Sequence, residues 1–245
     1  MSKYILTGSN GNIGSQLELL LDNIPYARDM PINDEEVLLH LASKSIGEYK
    51  TIIKSNIDYL IEIINFCEIN NIKKLIFFSA ISIYNKQDIY SITKLLGEKI
   101  LAESKLKILI LRLPMVLTRD TENGILNRIV KKLEKNEEIF LSNADAKFNN
   151  FIGVKDISNF ILTYKFEKKY ELLNLASKNE HTLYEIVNFM REKISSHSKI
   201  IKIANDNNYY NINVDQIQNN YKFNSSSALN TIDEWMRLRK DMREI

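Results

Sequence analysis

The sequence predicts an α/β protein whose parallel β-sheet is doubly wound by helices. Two observations carry this prediction. Short apolar runs alternate with longer amphipathic stretches along most of the chain, which is typical of strands joined by crossover helices. The first apolar run, Tyr4–Leu6, leads directly into a glycine-rich turn at Thr7–Gly14 and then into a helical pattern, which is how the first unit of such a sheet begins.

The predicted strands are short apolar runs, and they fall at Tyr4–Leu6, Tyr26–Arg28, Val37–Leu41, Lys74–Phe78, Ile108–Leu111, Phe151–Val154, Leu172–Ala176 and Ile200–Ile203. The predicted helices have amphipathic spacing, and they fall at Ile13–Leu21, Thr51–Asn70, Tyr90–Ser104, Asn123–Lys135 and Leu183–Ile194, before a final helix that carries Trp235. Thr182 and Glu185 have the spacing of a capping box at the start of one of these helices.

The second crossover of the sheet is predicted to be truncated. Only 25 residues, positions 15–39, separate Gly14 from His40, whereas a full unit needs a helix, a strand, a crossover and another strand there. We therefore predict a Rossmann-like dinucleotide-binding domain over residues 1–112, with a returning segment near 150–176. Residues 113–245 are predicted to form mainly a small substrate-binding subdomain.

The glycine-rich turn is predicted to bind the pyrophosphate of a dinucleotide. Gly8 permits a tight turn, Gly11 lets the backbone approach a phosphate, and Gly14 lets the helix pack on the strand. The N-terminal N–H groups of the next helix are expected to point at the phosphates. The predicted contacts of this turn are Gly8, Asn10, Gly11, Asn12, Ile13 and Gly14. The alternative is a glycine turn that binds no ligand.

The composition argues against several other classes of protein. A net charge of +2 with 26% charged residues is too balanced to indicate binding to nucleic acid or to a membrane surface. No apolar run approaches the roughly 20 residues of a membrane span. The single cysteine, Cys67, excludes a disulfide framework, and the three histidines lack the spacing of metal ligands. We expect a cytoplasmic protein that has no metal, membrane or nucleic-acid partner.

Tyr90 and Lys94 are predicted to be a catalytic pair. They are four residues apart and therefore share one face of the predicted helix. A phenol has a pKa near 10, and a nearby ammonium group favours the phenolate, so Tyr90 can exchange a proton with a substrate hydroxyl or carbonyl. Lys94 can also bind the nicotinamide ribose. A solvated helix face is the alternative for an isolated match, but this pair follows both the glycine turn and a strand that ends at Ser79.

In chain order, these features resemble the extended short-chain dehydrogenase/reductases, the epimerase/dehydratase group that acts on nucleotide sugars. The resemblance covers nearly the whole chain, and besides the glycine turn and the Tyr90/Lys94 pair it rests on His40–Ser43, Asn56, Ser79–Tyr84, Arg112–Pro114, Phe151–Asp156, Leu173–Ala176 and Tyr221–Phe223. It implies an enzyme that uses NADP or NAD. It implies further cofactor contacts by Leu41, Ala42, Ser43, Asn56 and Pro114, and substrate contacts by Ser82, Tyr84, Arg112, Asn149 and Asn150.

One departure from that family concerns the reacting oxygen of the substrate. Family members usually have a serine or threonine where this chain has Ala80, so Ser79 or Ser82 is expected to orient the oxygen instead. Ile81 and Ser82 occupy positions where dehydratases or many other members have acidic residues, and an elimination needs a general acid there. Dehydratase activity is therefore disfavoured.

Two further regions are expected to contact the adenosine half of the cofactor and the nucleotide of the substrate. Arg28 and Asp29 lie near the end of the predicted second strand, where an aspartate suits NAD and an arginine suits NADP. The choice of cofactor therefore stays open, as does a role for both residues as solvated loop charges. Many relatives hold the nucleotide phosphate with an arginine shortly before the segment matched by Phe151, where this chain has Asn149 and Asn150.

The short connection from Tyr84 to Tyr90 and the segment Asn136–Ile139 most resemble the reductase domain of capsular-polysaccharide enzymes. That resemblance implies NADPH-dependent reduction of a 4-keto-6-deoxy sugar nucleotide in surface-polysaccharide biosynthesis. A nucleotide-sugar 4-epimerase is the first alternative. A non-catalytic, cofactor-binding regulator or scaffold is an alternative of another class.

The resemblance also implies a homodimer in which Thr51–Asn70 and Tyr90–Ser104 of two subunits form a four-helix bundle. Both helices have apolar residues beyond a single core stripe, among them Ile57, Leu60, Ile61, Ile64, Leu95, Leu96 and Ile100. The alternative is that a wide apolar face simply packs on the sheet.

Overall fold

The structure is a computed structural model that describes residues 4–27, 30, 37–204 and 211–241. The chain divides into two units. The first combines Met1–Pro114 with Ile157–Leu175, and the second combines Met115–Asp156 with Ala176–Ile245. The assignment of one domain to the cofactor and the other to the substrate stays a prediction.

The strands of the described residues are β1 (Tyr4–Thr7), β2 (Asn23–Pro25), β3 (Val37–His40), β4 (Lys74–Ala80), β5 (Lys107–Leu113), β6 (Met115–Leu117), β7 (Ile139–Ser142), β8 (Phe151–Gly153), β9 (Tyr170–Asn174) and β10 (Ile200–Ile203). The α-helices are α1 (Gly14–Leu17), α2 (Tyr49–Ile53), α3 (Tyr59–Ile69), α4 (Ile89–Glu103), α5 (Ile125–Glu134), α6 (Val154–Thr163), α7 (Leu183–Ile194), α8 (Asp215–Tyr221) and α9 (Ala228–Asp241). A π-helical turn, Lys54–Asp58, joins α2 to α3, and a 3-10 turn, Ile81–Tyr84, follows β4.

The first unit is built on a six-stranded sheet with the order β2-β1-β3-β4-β5-β9. Every neighbouring pair of strands in it is parallel. The central strands are apolar along their length because helices flank the sheet, and Val37–Leu39 and Ile108–Leu111 are buried throughout. The predicted doubly wound α/β fold is confirmed.

The connection between β2 and β3 is short. These two strands lie on opposite sides of β1, and residues 26–36 connect them. Most of this connection lies outside the described residues, so the predicted truncation of the crossover stays a prediction. Arg28 and Asp29 lie outside the described residues.

Two predicted boundaries near the start of the chain are wrong. Helix α1 is a single turn rather than the predicted Ile13–Leu21, and β2 begins at Asn23 rather than at Tyr26. The Asn23 side-chain amide donates to the carbonyl oxygens of Glu18, at 3.0 Å, and Leu21, at 2.8 Å. These bonds hold the chain in a turn. The helix therefore ends before Leu21, and the strand begins before Tyr26.

Gly97 sets how closely α4 packs on its neighbours in the first unit. A Cβ at this position would lie 3.0 Å from the Phe77 ring of β4 and 3.1 Å from the Leu60 side chain of α3. A larger residue would require these two side chains to shift by a few tenths of an ångström. Gly97 therefore allows the close approach of α4, which carries Tyr90 and Lys94, to β4 and α3.

The second unit has a core of its own around Trp235. β6 pairs with β8 and β7 pairs with β10, each in parallel. The buried Trp235 indole donates to the Thr118 carbonyl oxygen at 3.1 Å. The predicted capping box of α7 is confirmed, because Thr182 Oγ1 accepts from the Glu185 N–H at 3.2 Å and Glu185 Oε2 accepts from the Thr182 N–H at 2.7 Å. In the described part of the chain, no helix has the length and apolarity needed to cross a membrane.

Candidate active site

The glycine turn after β1 is shaped by packing within the protein. Gly8 has a φ of +75°, and a Cβ there would lie 2.8 Å from the backbone nitrogen of Ala42, so glycine is required. A Cβ at Gly14 would lie 2.0 Å from the Gly8 carbonyl oxygen, so this position requires glycine as well. A Cβ at Gly11 would meet only the Gly8 oxygen, at 3.2 Å. Gly11 is thus the least constrained of the three.

The backbone of the turn is accessible between its two packed glycines. Asn10, Gly11 and Asn12 are exposed, and Ile13 is half-buried. The helix α1 is only one turn long, whereas the sequence predicted Ile13–Leu21. Its dipole is therefore weaker than that of the predicted helix. Within the turn, the Gly11 N–H donates to the Gly8 carbonyl oxygen at 2.9 Å.

The loop after β3 is held in place by two buried polar side chains. Thr7 Oγ1 accepts hydrogen bonds from the backbone N–H groups of Leu41, at 3.2 Å, and Ala42, at 3.3 Å. Asn56 Oδ1 accepts from the Lys44 N–H at 2.7 Å, and Asn56 Nδ2 donates to the Lys44 carbonyl at 2.9 Å. Asn56 lies in the π-helical turn, an irregularity that often occurs at functional sites. The structure thus assigns Asn56 to holding the loop that contains Leu41, Ala42 and Ser43.

Lys94 is buried and points back towards the sheet. Its ammonium donates to the Phe78 carbonyl oxygen at 2.8 Å and lies 4.8 Å from the centre of the Phe77 ring and 5.8 Å from the centre of the Tyr90 ring. Burial lowers the pKa of Lys94 to about 7, although the Glu98 carboxylate opposes this shift. Lys94 is therefore partly charged near neutral pH.

Tyr90 is half-buried at the start of α4. Burial, assisted by the Asp88 carboxylate, raises the pKa of its phenol to about 12. The Ser43 side chain has a smaller effect, which lowers this pKa. The protein alone therefore keeps the Tyr90 phenol protonated at neutral pH. The structure brings the Tyr90 ring and the Lys94 ammonium within 5.8 Å of each other, and their catalytic roles stay a prediction.

His40, at the end of β3, is a neutral neighbour of this pair. Burial, with a smaller contribution from the Lys94 charge, lowers its pKa to about 3. Its Nδ1 lies 3.0 Å from Thr7 Oγ1, and its ring stacks 5.9 Å from Phe77. His40 therefore serves as packing and as an anchor for Thr7. No sequence pattern indicated this role beyond the apolar strand in which His40 lies.

The two predicted serines are in different surroundings. Ser79 is buried, and its hydroxyl donates to Glu98 Oε1 at 2.5 Å. Ser82 is half-buried, and its hydroxyl lies 2.8 Å from the hydroxyl of Ser91 in α4. Ala80, between them, is buried and offers no hydroxyl. Of the two serines, Ser82 is the better placed to meet a substrate.

A polar network joins the buried Glu98 to the exposed Tyr84. Glu98 accepts from the Arg112 guanidinium through both carboxylate oxygens, at 2.9 Å and 2.5 Å. Arg112 also donates to the Tyr84 hydroxyl at 2.5 Å, and that hydroxyl donates to Asn174 Oδ1 at 3.3 Å. The predicted substrate contact of Arg112 finds no support in this arrangement, which occupies its guanidinium. Sequence reasoning missed Glu98, although it follows Lys94 by four residues on the same face of α4.

Asn149 and Asn150 lie in the second unit, just before β8. Asn149 is fully buried; its amide donates to the Ile212 carbonyl at 2.8 Å and accepts from the Ile212 N–H at 3.0 Å. Asn149 therefore anchors the segment that contains Ile212, and its predicted contact with substrate finds no support here. Asn150 is half-buried. Pro114, also half-buried, lies between β5 and β6.

The described residues contain no group of three or more His, Cys, Asp or Glu side chains that could hold a metal ion. The chemistry of the site in the first unit is thus that of hydroxyl, ammonium, carboxylate and backbone groups.

No protein-family model and no curated protein matches this chain. Solved structures do. RMD from Pseudomonas aeruginosa, complexed with NADPH, has 10% identity and a TM-score of 0.76, covering 96% of this chain and 99% of its own. The Bordetella bronchiseptica enzyme WbmG, in complex with NAD and UDP, has 13% identity and a TM-score of 0.77, covering 98% and 95%. UDP-N-acetylglucosamine 4-epimerase from Bacillus cereus has 18% identity and a TM-score of 0.77, covering 100% and 98%.

The chain has the same fold as these proteins. At these identities the likeness shows the fold alone. It agrees with the fold that the resemblance in sequence implied.

Proposed function

We propose that the chain is an NAD(P)-dependent oxidoreductase of nucleotide-linked sugars in the cytoplasm. Its reaction is the reduction of a 4-keto-6-deoxy sugar nucleotide in surface-polysaccharide biosynthesis. The observation that carries this proposal is that the loop after β3 is tied to both predicted halves of the site. Ala42 packs against Gly8 in the glycine turn. Asn56, which bonds Lys44 of the same loop, also donates to Thr93 Oγ1 in α4 at 2.9 Å. All of these groups follow the carboxyl ends of parallel strands, where α/β sheets bind their ligands.

The residues around the glycine turn fit a dinucleotide. The backbone around Gly11 is open, and the packed glycines Gly8 and Gly14 keep the turn tight. When bound, the nicotinamide supplies hydride transfer to or from a carbon atom. RMD was solved with NADPH and WbmG with NAD, which supports a cofactor of this class and leaves the choice between NADP and NAD open.

The protonation state of Tyr90 supports reduction. A ketone oxygen must gain a proton as its carbon is reduced, and the high pKa of Tyr90, caused by burial, keeps this phenol in the form that donates a proton. Lys94, when charged, stabilises the phenolate that remains. Ser82 is proposed to orient the substrate oxygen, with Tyr84 beside it. An epimerase would begin with proton removal by the phenolate, which the protein alone disfavours.

Titration with NADPH and NADH, followed by turnover assays, tests this proposal. We expect consumption of added reduced cofactor, followed by its absorbance, with 4-keto-6-deoxy sugar nucleotides. Interconversion of sugar nucleotides without added reduced cofactor would favour the 4-epimerase. Cofactor binding without turnover of either kind of substrate would favour the regulator or scaffold.

We also propose a homodimer through α3 and α4. Ile57, Leu60 and Ile64 are buried, so these predicted residues pack within the subunit. Other apolar residues of the same helices and of α2 remain substantially exposed: Ile53, Ile61, Ile92, Leu95 and Leu96. Such a stripe is suited to helix packing between two copies.

A further inference from the structure

A cavity lies at the edge of the six-stranded sheet where its parallel strands begin. Its volume is about 370 Å³, and it is lined by residues of β1, β3, β4 and β5 and by residues at and after the end of α6. The candidate active site lies at the opposite ends of the same strands, where Thr7, His40 and Ser79 are found. The cavity is therefore a separate feature of the first unit.

The walls of the cavity are apolar. Val37, Ile76 and Ile161 line it, and each of them is at most 3% exposed. Phe166 also lines it, and its ring packs edge-on against the Tyr164 ring with 5.0 Å between the ring centres. Close-packed interiors rarely leave so much empty space, and pockets for small ligands have volumes of about 300–1,000 Å³. The size and the walls suit a compact apolar group, such as an aromatic ring.

Three lysines supply the charge around this cavity. Lys74 comes from β4, Lys107 from β5 and Lys165 from the chain after α6. Lys107 Nζ donates to the Phe166 carbonyl oxygen at 3.0 Å, so this lysine holds one wall in place. No side-chain hydrogen bond or ion pair joins Lys74 or Lys165 to the residues that the structure describes. Two ammonium groups are thus left for a ligand.

The carboxylates of the described residues do not neutralise these two lysines. None of the described residues that line the cavity is an aspartate or a glutamate. The Glu171 carboxylate on β9 accepts from the Tyr164 hydroxyl at 2.9 Å and from Lys168 Nζ at 2.7 Å. Ammonium groups that share a cavity without a carboxylate repel one another, and a bound anion offsets this repulsion.

We propose that this cavity binds a small organic anion, in which a phosphate or carboxylate group is attached to a compact apolar body. The apolar body occupies the space between Val37, Ile76 and Ile161, and the anionic group meets Lys74 and Lys165. The binding of an apolar group in a pocket with a few polar groups at its edge is the usual arrangement of small-molecule sites. The inference does not depend on the proposed function, because none of these residues belongs to the candidate active site.

Calorimetric titration of the full chain with 1-naphthyl phosphate tests the proposed ligand class. This probe carries both parts of the ligand, whereas inorganic phosphate has the charge alone and 1-naphthol has the apolar body alone. We expect 1-naphthyl phosphate to bind with a dissociation constant between about 10⁻⁵ and 10⁻³ M. The other two probes should bind at least about tenfold more weakly. If either of them binds as tightly as 1-naphthyl phosphate, or if none binds, the proposal is wrong.

The contribution of the two lysines is measured with variants that remove the charge and keep most of the side-chain length. Lys74→Gln and Lys165→Gln should each raise the dissociation constant of 1-naphthyl phosphate about twofold to fivefold, and the double variant about tenfold. Lys73→Gln is the matched control, because Lys73 is exposed and does not line the cavity. It should change the dissociation constant by less than about twofold. Equal losses in Lys73→Gln and Lys74→Gln would indicate a general attraction to positive charge and would overturn the site.

Methyl NMR of the wild type locates the bound probe. The resonances of Ile76 and Ile161, assigned with Ile76→Val and Ile161→Val, should shift when 1-naphthyl phosphate is added. The resonance of Ile139, which lies in the core of the second unit, should not shift. If the probe binds while Ile76 and Ile161 stay unchanged, it occupies another place, such as the proposed cofactor site. That result would overturn this inference and leave the proposed function standing.

Discussion

Replacement of Lys94 by methionine is expected to stabilise the protein while removing a group that we propose to be catalytic. The unfolded chain carries this lysine with a pKa of 10.5, and burial lowers the pKa in the folded state to about 7. Between these two values the unfolded state binds more protons, so the stability of the wild type rises with pH from about 7 to 10.5. Below pH 7 the folded protein carries a charge that its surroundings disfavour.

The magnitude follows from the two pKa values. The lysine destabilises the folded state by about 5 kcal/mol at pH 6 and by about 2 kcal/mol at pH 9. Methionine has a similar length and no charge, but it forfeits the hydrogen bond from Lys94 to the Phe78 carbonyl, which contributes about 1 kcal/mol. Lys94→Met should therefore raise the free energy of unfolding by about 4 kcal/mol at pH 6 and by about 1 kcal/mol at pH 9.

Urea unfolding of both proteins at pH 6 and pH 9, without ligands, measures this difference. Lys99→Met is the matched control, because Lys99 lies on the exposed side of the same helix and its replacement should leave the pH dependence unchanged. If Lys94→Met is less stable than the wild type at pH 6, or if its advantage does not shrink at pH 9, the reasoning is refuted. Burial would then not be the main influence on Lys94.

Two further predictions concern the second unit and assembly. Asn149→Ala should lower the free energy of unfolding by about 2–4 kcal/mol, because it leaves the buried N–H and carbonyl of Ile212 without partners. Thermal unfolding checks this, and a change no larger than that of the exposed Asn230→Ala would contradict it. Leu96→Glu should convert a homodimer into a monomer, since Leu96 is 47% exposed on α4. Light scattering at micromolar concentration checks this, and a monomeric wild type would show the proposed dimer to be wrong.

The sequence predicted the elements of the fold whose apolar spacing is long or strongly punctuated. α7, with its capping box, and α4, with Tyr90 and Lys94, were predicted within one residue of their ends. Short elements such as β6 and α8 were not predicted, because three to seven residues are too few to show a period. The π-helical turn at Lys54–Asp58 was also missed. Asn56 lies in this turn and bonds Lys44, which is twelve residues away. The local sequence pattern contains no information on such a contact.

The sequence predicted where several polar residues lie along the strands, but it did not predict which groups they bond. The pattern placed Ser79 and Arg112 at the ends of strands, which is correct, but it could not show that both bond Glu98. The alternation of apolar and polar residues along a strand indicates which side chains are buried. It does not indicate which group of a neighbouring helix they contact. Asn149 was predicted to contact the substrate because of its place just before the segment matched by Phe151. The sequence could not show that its amide pairs with the backbone of Ile212, 63 residues away.

The most direct test of the account is the comparison of Tyr90→Phe with the wild type in cofactor binding and in turnover. Tyr90→Phe removes the proton donor and keeps the ring, so the dissociation constant for NAD(P)H should stay within about twofold, while kcat for a 4-keto-6-deoxy sugar nucleotide should fall by about 10²–10⁴-fold. Undiminished turnover in Tyr90→Phe, with cofactor still bound, would contradict the assignment of Tyr90 as the proton donor and with it the proposed site.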